Sequence, residues 1–291
     1  MAGLSKRVQA ELLLLLTTFI WGATFVVVKR ALADASPLPF LTVRFGVAGL
    51  LLLAVLAQGR IGREAVRPGL ILGVFLAGGY AFQTFAQEFT TPSKCAFITG
   101  FSVILVPLIM LFLGHRMRAA NIAGALLGLG GLYFLVLPTS LAAVNRGDLL
   151  TLFGSICFAV HIVLVGQYTR RFSFRHLVPV QILSVSALAA IAVPLDSHRR
   201  LNLTPALAGA FVVTAVFATG FAFSVQNWAQ QYAPAAHTAL IFAMEPVFAA
   251  LVSWRVMGER LGGRVLLGSA LILAGMVISE MWGGAASPVE G

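Results

Sequence analysis

Along this chain the apolar residues neither alternate nor keep to one helical face; they run on without interruption. Leu12–Leu16 and Leu50–Leu53 are unbroken stretches of leucine. A helix needs about 20 apolar residues to cross roughly 30 Å of hydrocarbon. Runs of that length recur between charges, prolines and glycines. They predict ten transmembrane helices, over 11–30, 38–57, 69–88, 92–113, 119–138, 148–168, 176–194, 205–228, 234–256 and 264–282. Barrel strands would alternate over about 10 residues, so the expected class is all-α and membrane-embedded. The gaps leave room for loops but not for a soluble domain.

Composition agrees. Of 291 residues 59% are hydrophobic and 10% charged, with a mean hydropathy of +0.94, where a soluble domain carries about 25% charged residues. Twenty Lys and Arg against ten Asp and Glu give a net +10. These cations sit mainly in the gaps between runs, where they act as topology signals beside anionic lipid. No basic stretch is interleaved with aromatics, so nucleic acid is not an expected partner. A cytoplasmic N-terminus places ten cations inside and nine outside, with Arg44 inside a span. The first half favours that orientation by seven to four, and the first helices usually dominate. Both termini are therefore expected on the cytoplasmic side of a bacterial inner membrane. The first span resembles a signal peptide before Ala31-Leu32-Ala33, but Lys29 and Arg30 directly before that site argue against cleavage. Cys95 and Cys157 fall inside apolar runs and read as small buried residues rather than a disulfide framework.

The chain also repeats itself. Gly114-His115-Arg116-Met117, Gly124 and Gly131 match Gly258-Glu259-Arg260-Leu261, Gly268 and Gly275 at an offset of 144. Ala81-Phe82 matches Ala222-Phe223 at 141, and Glu11-Leu12-Leu13 resembles Asp148-Leu149-Leu150 at 137. Five spans per half is an odd number, so the second half, 148–282, must enter the membrane inverted relative to the first, 11–138. Inverted five-helix repeats point to a secondary transporter with its site near the midplane.

Several short motifs then resemble a known family, the EamA domain of the drug/metabolite transporter superfamily. They are Trp21-Gly22-Ala23-Thr24-Phe25, Arg44-Phe45, the Thr91–Phe97 stretch, Glu245-Pro246-Val247-Phe248-Ala249-Ala250 and Gly258-Glu259-Arg260-Leu261. The likeness covers nearly the whole chain as two such domains. It implies a ten-helix exporter of amino acids, related metabolites or drugs that works by alternating access. The first half departs from the pattern, having no counterpart of Glu245-Pro246 and no acid in Gly114-His115-Arg116.

Polar side chains within spans mark the expected path, because in hydrocarbon they face the bundle interior or water. Tyr80, Gln83, Thr84 and Gln87 fall at i, i+3, i+4 and i+7, one helical face. Asn227 and Trp228 belong to a second amide-rich span with Ser224, Gln226, Gln230 and Gln231. Trp21 and Thr24 align with Phe158 and His161 of the repeat, and His161 lies near mid-span. These nine, Trp21, Thr24, Tyr80, Gln83, Thr84, Gln87, His161, Asn227 and Trp228, are the expected substrate-binding set. Lys94 and His237 correspond at an offset of 143, near the starts of their spans. Glu245 is the one acid expected near mid-membrane, and Pro246 after it cannot donate a backbone bond to Phe242. Glu245, Pro246, Lys94 and His237 are thus the expected coupling or gating residues, with a proton or another ion as the coupling partner. Arg44 reads as a structural pairing residue. Gly124 and Gly128 allow close helix packing or a homodimer face.

The competing class is a lipid-modifying membrane enzyme, and the competing cargo is a range of drugs. The chain has no His-x-x-x-x-Asp, His-Glu-x-x-His or Gly-x-Ser-x-Gly and no Walker-type phosphate loop. No metal site, cofactor or ATP-driven step is expected. The partners expected are a small-molecule substrate and the lipid bilayer.

Overall fold

The computed structural model describes residues 5–58, 60–114, 118–136, 145–197, 199–233 and 235–283. The apolar runs are helical. α1 spans Lys6–Ala31 and starts at Ser5, whose hydroxyl accepts from the Val8 N–H, satisfying one orphan donor of the first turn. α2 (Pro37–Val55) opens on proline, whose missing N–H costs nothing at that position. α3 covers Arg63–Phe89. The next run breaks at Phe101 into α4 (Pro92–Gly100) and α5 (Ser102–Phe112). α6 (Ala119–Val136), α7 (Arg146–Tyr168) and α8 (Phe174–Ala192) follow. α9 (Pro205–Val212) continues through a π-helical stretch, Val213–Phe221, into α10 (Ala222–Ala229). A second break, at Ala243 and Met244, separates α11 (Ala235–Phe242) from α12 (Glu245–Met257), and α13 is Gly263–Gly283. Among the described residues there is no strand, only an isolated bridge between Ala35 and Leu201.

Among the described residues seven helical segments are long and apolar enough to cross a membrane: Lys6–Ala31, Pro37–Val55, Arg63–Phe89, Pro92–Phe112, Arg146–Tyr168, Phe174–Leu195 and Pro205–Ala229. Shorter apolar helices lie at Ala119–Gly131 and Leu266–Gly275. The outer surface carries many large apolar side chains, Phe112, Leu50, Val55 and Ile191 among them. Such a surface fits hydrocarbon rather than water.

α3 packs on α7 and α8, α2 lies on α8, and α1 runs between α10 and α12. α6 and α13 pair along their length. Glycine makes two of these approaches possible. A Cβ at Gly22 in α1 would lie 2.7 Å from the Glu245 carbonyl oxygen and 2.8 Å from the Phe248 Cβ. At Gly275 it would lie 2.5 Å from the Gly124 carbonyl oxygen and 3.1 Å from the Gly128 nitrogen. Gly131 of α6 meets α13 in the same way, 2.5 Å from the Gly268 carbonyl oxygen, whereas Gly128 faces Ile104 of α5.

A methyl group at Gly275 meets backbone that cannot rotate away, whereas one at Gly209 in α9 meets nothing within 4 Å. Gly275→Ala should cost about 1–3 kcal/mol through overpacking and lower the melting temperature in detergent by several degrees. Gly209→Ala should leave it unchanged or raise it through better helix propensity. Equal melting temperatures for the two variants would refute the packing account.

Candidate functional site

A cavity of about 60 Å³ lies inside the bundle, enough for a few waters. Both helix breaks open onto it: Ser102, the first residue of α5, and Glu245, the first of α12, contribute to its wall. α1 supplies Trp21 and Thr24, α3 supplies Tyr80, Gln83 and Gln87, and α7 supplies His161. Six residues of the expected binding set thus meet in one space, together with Glu245. Starting α12 at Glu245 places Pro246 in the first helical turn, where the absent N–H would have had no intrahelical partner.

The π-helical stretch fixes one wall. A π-turn is wider than an α-turn and recurs at functional sites. Here the Ala218 carbonyl accepts from the Trp21 indole N–H at 2.8 Å, and the Thr219 hydroxyl accepts from Arg44 Nε at 2.9 Å. Trp21 also packs against the rings of Phe223 and Phe242, at 5.3 and 5.0 Å between centroids. Tyr80 is set edge-on to Phe45 and Phe158.

Most polar atoms around the cavity are paired with one another. His161 Nε2 and Gln181 Oε1 are 2.7 Å apart, Gln181 Nε2 donates to Asn227 Oδ1 at 3.2 Å, and Asn227 Nδ2 donates to the Phe223 carbonyl. Gln83 Nε2 donates to Thr99 Oγ1 at 3.2 Å. Three acceptors stand apart from this network. Gln87 Oε1 and Gln226 Oε1 are buried without a partner, and no hydrogen bond or ion pair joins the Glu245 carboxylate to a described residue. All three residues line the cavity.

The other expected residues lie elsewhere. Thr84 is buried and Asn227 is one helix contact behind the wall, while Trp228 packs on the ring of Tyr232 at 5.2 Å. Lys94 forms an ion pair with Asp148, a fully buried carboxylate that also accepts from the Thr90 hydroxyl at 3.0 Å. The side chain of His237 falls outside the described residues, as do His115, Arg116 and Met117. Arg44, read from sequence as a structural residue, is in the lining, as are Thr99, Ser102, Phe158, Phe223 and Gln226. The aromatic members carried no signal in a chain with 22 phenylalanines. Thr99 and Ser102 are ordinary small residues until the chain breaks between them.

Removing one partner of a buried ion pair costs about 3–5 kcal/mol, whereas replacing both by apolar residues is often tolerated. Asp148→Asn should therefore lower the melting temperature sharply, and Lys94→Met with Asp148→Leu should recover most of the loss. A double variant no more stable than Asp148→Asn would show that the carboxylate, and not the pair, holds α4 to α7.

Comparison with known proteins agrees with this architecture. The EamA-like transporter family profile matches residues 8–137 and again 145–281. An uncharacterized transporter of Archaeoglobus fulgidus is 35% identical over 95% of this chain and 87% of its own length. The uncharacterized inner membrane transporter YedA of Escherichia coli is 28% identical over 89% of this chain and 85% of its own. The uncharacterized transporter YoaV of Bacillus subtilis is 23% identical over 94% and 97%. A solved crystal structure, 22% identical, shares the fold with a TM-score of 0.72 over 94% of this chain and 98% of that one. With the family profile matching both halves and a relative 35% identical over 95% of it, the chain belongs to the EamA-like transporter family.

Proposed function

We propose that this transporter is a secondary exporter of small metabolites, amino acids or related compounds, working by alternating access. Its ten spans act as two inverted five-helix repeats, 11–138 and 148–282, in a bacterial inner membrane with both termini cytoplasmic. The observation that carries this reading is the Glu245 carboxylate, which pairs with no described residue and stands at the start of a broken helix in the wall of an internal cavity. The breaks at Phe101 and Met244, 143 residues apart, support the repeat. Discontinuous helices at the repeat interface are where such carriers hold substrate and ions.

Trp21, Thr24, Tyr80, Gln83, Gln87 and His161 form the substrate contacts. The aromatic rings pack against an apolar body and the amides bond its polar groups. Glu245 takes the coupling proton, since an ionised carboxylate is costly inside the bilayer unless water or a cation reaches it. Its charge state is tied to whether the cavity is open, and the break at Ala243 and Met244 lets α12 move with it. Lys94 serves as a gate residue, because its pair with Asp148 ties the start of α4 to the start of α7.

Proteoliposomes loaded with radiolabelled L-leucine, L-phenylalanine or L-threonine test the reading. Wild-type protein should show saturable exchange of at least one of them, accelerated by an imposed pH gradient. Glu245→Gln keeps the shape and hydrogen bonding of the side chain but removes titration. It should keep exchange while losing at least tenfold of the gradient-driven flux. Full gradient-driven flux in Glu245→Gln would move the coupling site elsewhere, and an ohmic current in place of saturable exchange would make the protein a channel.

A further inference from the structure

We propose that Arg44 reads an anionic group on the substrate, so that the cavity selects carboxylate-bearing metabolites over their neutral analogues. The inference rests on the cavity being the transport site, and it names the chemistry which that site selects.

Arg44 is 3% exposed and lies within a membrane span, and arginine keeps its proton in proteins. A cation at such a place ordinarily pairs with an acid. Here none of its partners is negative. Nε donates to the Thr219 hydroxyl at 2.9 Å, and Nη2 reaches the Tyr80 hydroxyl at a long 3.5 Å. The rings of Phe45 and Tyr80 lie 5.0 and 4.7 Å from the guanidinium carbon, a cation–π arrangement that holds the plane of the group. No hydrogen bond joins Nη1 to a described residue. Of five donors in a rigid fork, two are thus engaged, both by neutral oxygens.

Among the described lining residues Arg44 carries the one arginine or lysine charge. Two lining acceptors, Gln87 Oε1 and Gln226 Oε1, are buried without a partner among the described residues, and the Glu245 carboxylate lies in the same wall. Aromatic rings supply much of the remaining wall. The cavity therefore offers one cationic fork, separate acceptors and an apolar lining. A planar carboxylate matches the fork, since guanidinium and carboxylate meet through two parallel hydrogen bonds. The Arg44 anchor is also fixed in advance. Thr219 lies on the π-helical stretch, and the adjacent Ala218 carbonyl is held by the Trp21 indole. Little ordering is left for binding to do. An arginine that merely braced α2 against the π-helical stretch would satisfy the same contacts, but it would not distinguish an acid from its amide.

That distinction is the test. The melting temperature of the purified protein in detergent is measured over a concentration series of L-phenylalanine, L-leucine and 3-phenylpropionate, each beside its primary amide. At least one acid should stabilise the wild type with an apparent affinity tenfold or more tighter than its amide. Arg44→Gln should abolish that preference, leaving acid and amide alike. Thr219→Val retains the cation without its anchor, and should weaken acid binding several-fold while leaving the amide unaffected; it serves also if Arg44→Gln does not fold. Wild-type protein that binds acids and amides equally, or binds none of the six, overturns the proposal. So does an Arg44→Gln variant that keeps the preference. Flux in proteoliposomes separates this from the carrier reading. Arg44-dependent binding without saturable flux refutes the carrier and leaves Arg44 standing, whereas saturable flux indifferent to acid or amide does the reverse.

Discussion

Hydrocarbon offers no hydrogen-bond partner, so every polar group in a span must find one inside the protein or face enclosed water. Helix formation settles this for the backbone, and many hydroxyls follow it. Thr18, Thr151, Thr169 and Thr214 each donate to the carbonyl four residues earlier, at 2.7 Å. Longer side chains cannot close on their own helix and reach across to another. The chain His161, Gln181, Asn227 and the Phe223 carbonyl joins α7, α8 and α10 in this way. Among the described residues two buried amide oxygens satisfied by neither route, Gln87 Oε1 and Gln226 Oε1, are in the cavity wall.

The same requirement gives the broken helices their meaning. Non-helical backbone at membrane depth is tolerated where it is buried or lines a cavity. At Phe101 and at Ala243 with Met244 the chain interrupts its helix beside the space that Ser102 and Glu245 line. Gly22 allows α1 to press against the second break. The Trp21-Gly22 and Glu245-Pro246 motifs, more than 200 residues apart in sequence, become one structural unit there. Trp21 in turn holds the π-helical stretch, which holds Arg44.

Beyond the cavity, polar ties gather at the end of the bundle where α1 and α3 finish and α4 and α7 begin. Lys29 donates to the Gln87 and Thr90 carbonyls, Asn145 to the Phe89 carbonyl, and Ser93 to Glu259 at 2.8 Å. Arg200 and Ser36 exchange bonds between two loops at the same end, 2.9 and 3.0 Å long. Many of these contacts cross from the first half of the chain to the second. Apolar residues pack beside these ties, Phe25, Ala86, Cys95 and Ala96 in one cluster and Val28, Ala31, Leu32 and Phe40 in another.

Sequence alone determined the class of this protein, because the number of charges and the length of the apolar runs leave no alternative to a helical bundle in a bilayer. It determined where helices run, since each lies between charge, proline and glycine signals that act locally. Helical spacing also put Tyr80, Gln83 and Gln87 on one face. Only the tertiary structure decided which faces meet. Gln87 reaches the cavity, but Thr84 on the same turn is buried outside its lining. Asn227 turns to Gln181, and Gln226 beside it faces the lining. Lys94 goes to Asp148, while Gly131 of α6 goes to α13 and Gly128 to Ile104 of α5. Arg44 reads from sequence as a structural pairing residue, and its place in the wall follows only from Thr219 and Tyr80, 175 and 36 residues away, which hold it. Periodicity fixes the direction of a side chain from its own helix axis; the rotation of that helix against its neighbours is set by packing, and packing is a property of the whole chain.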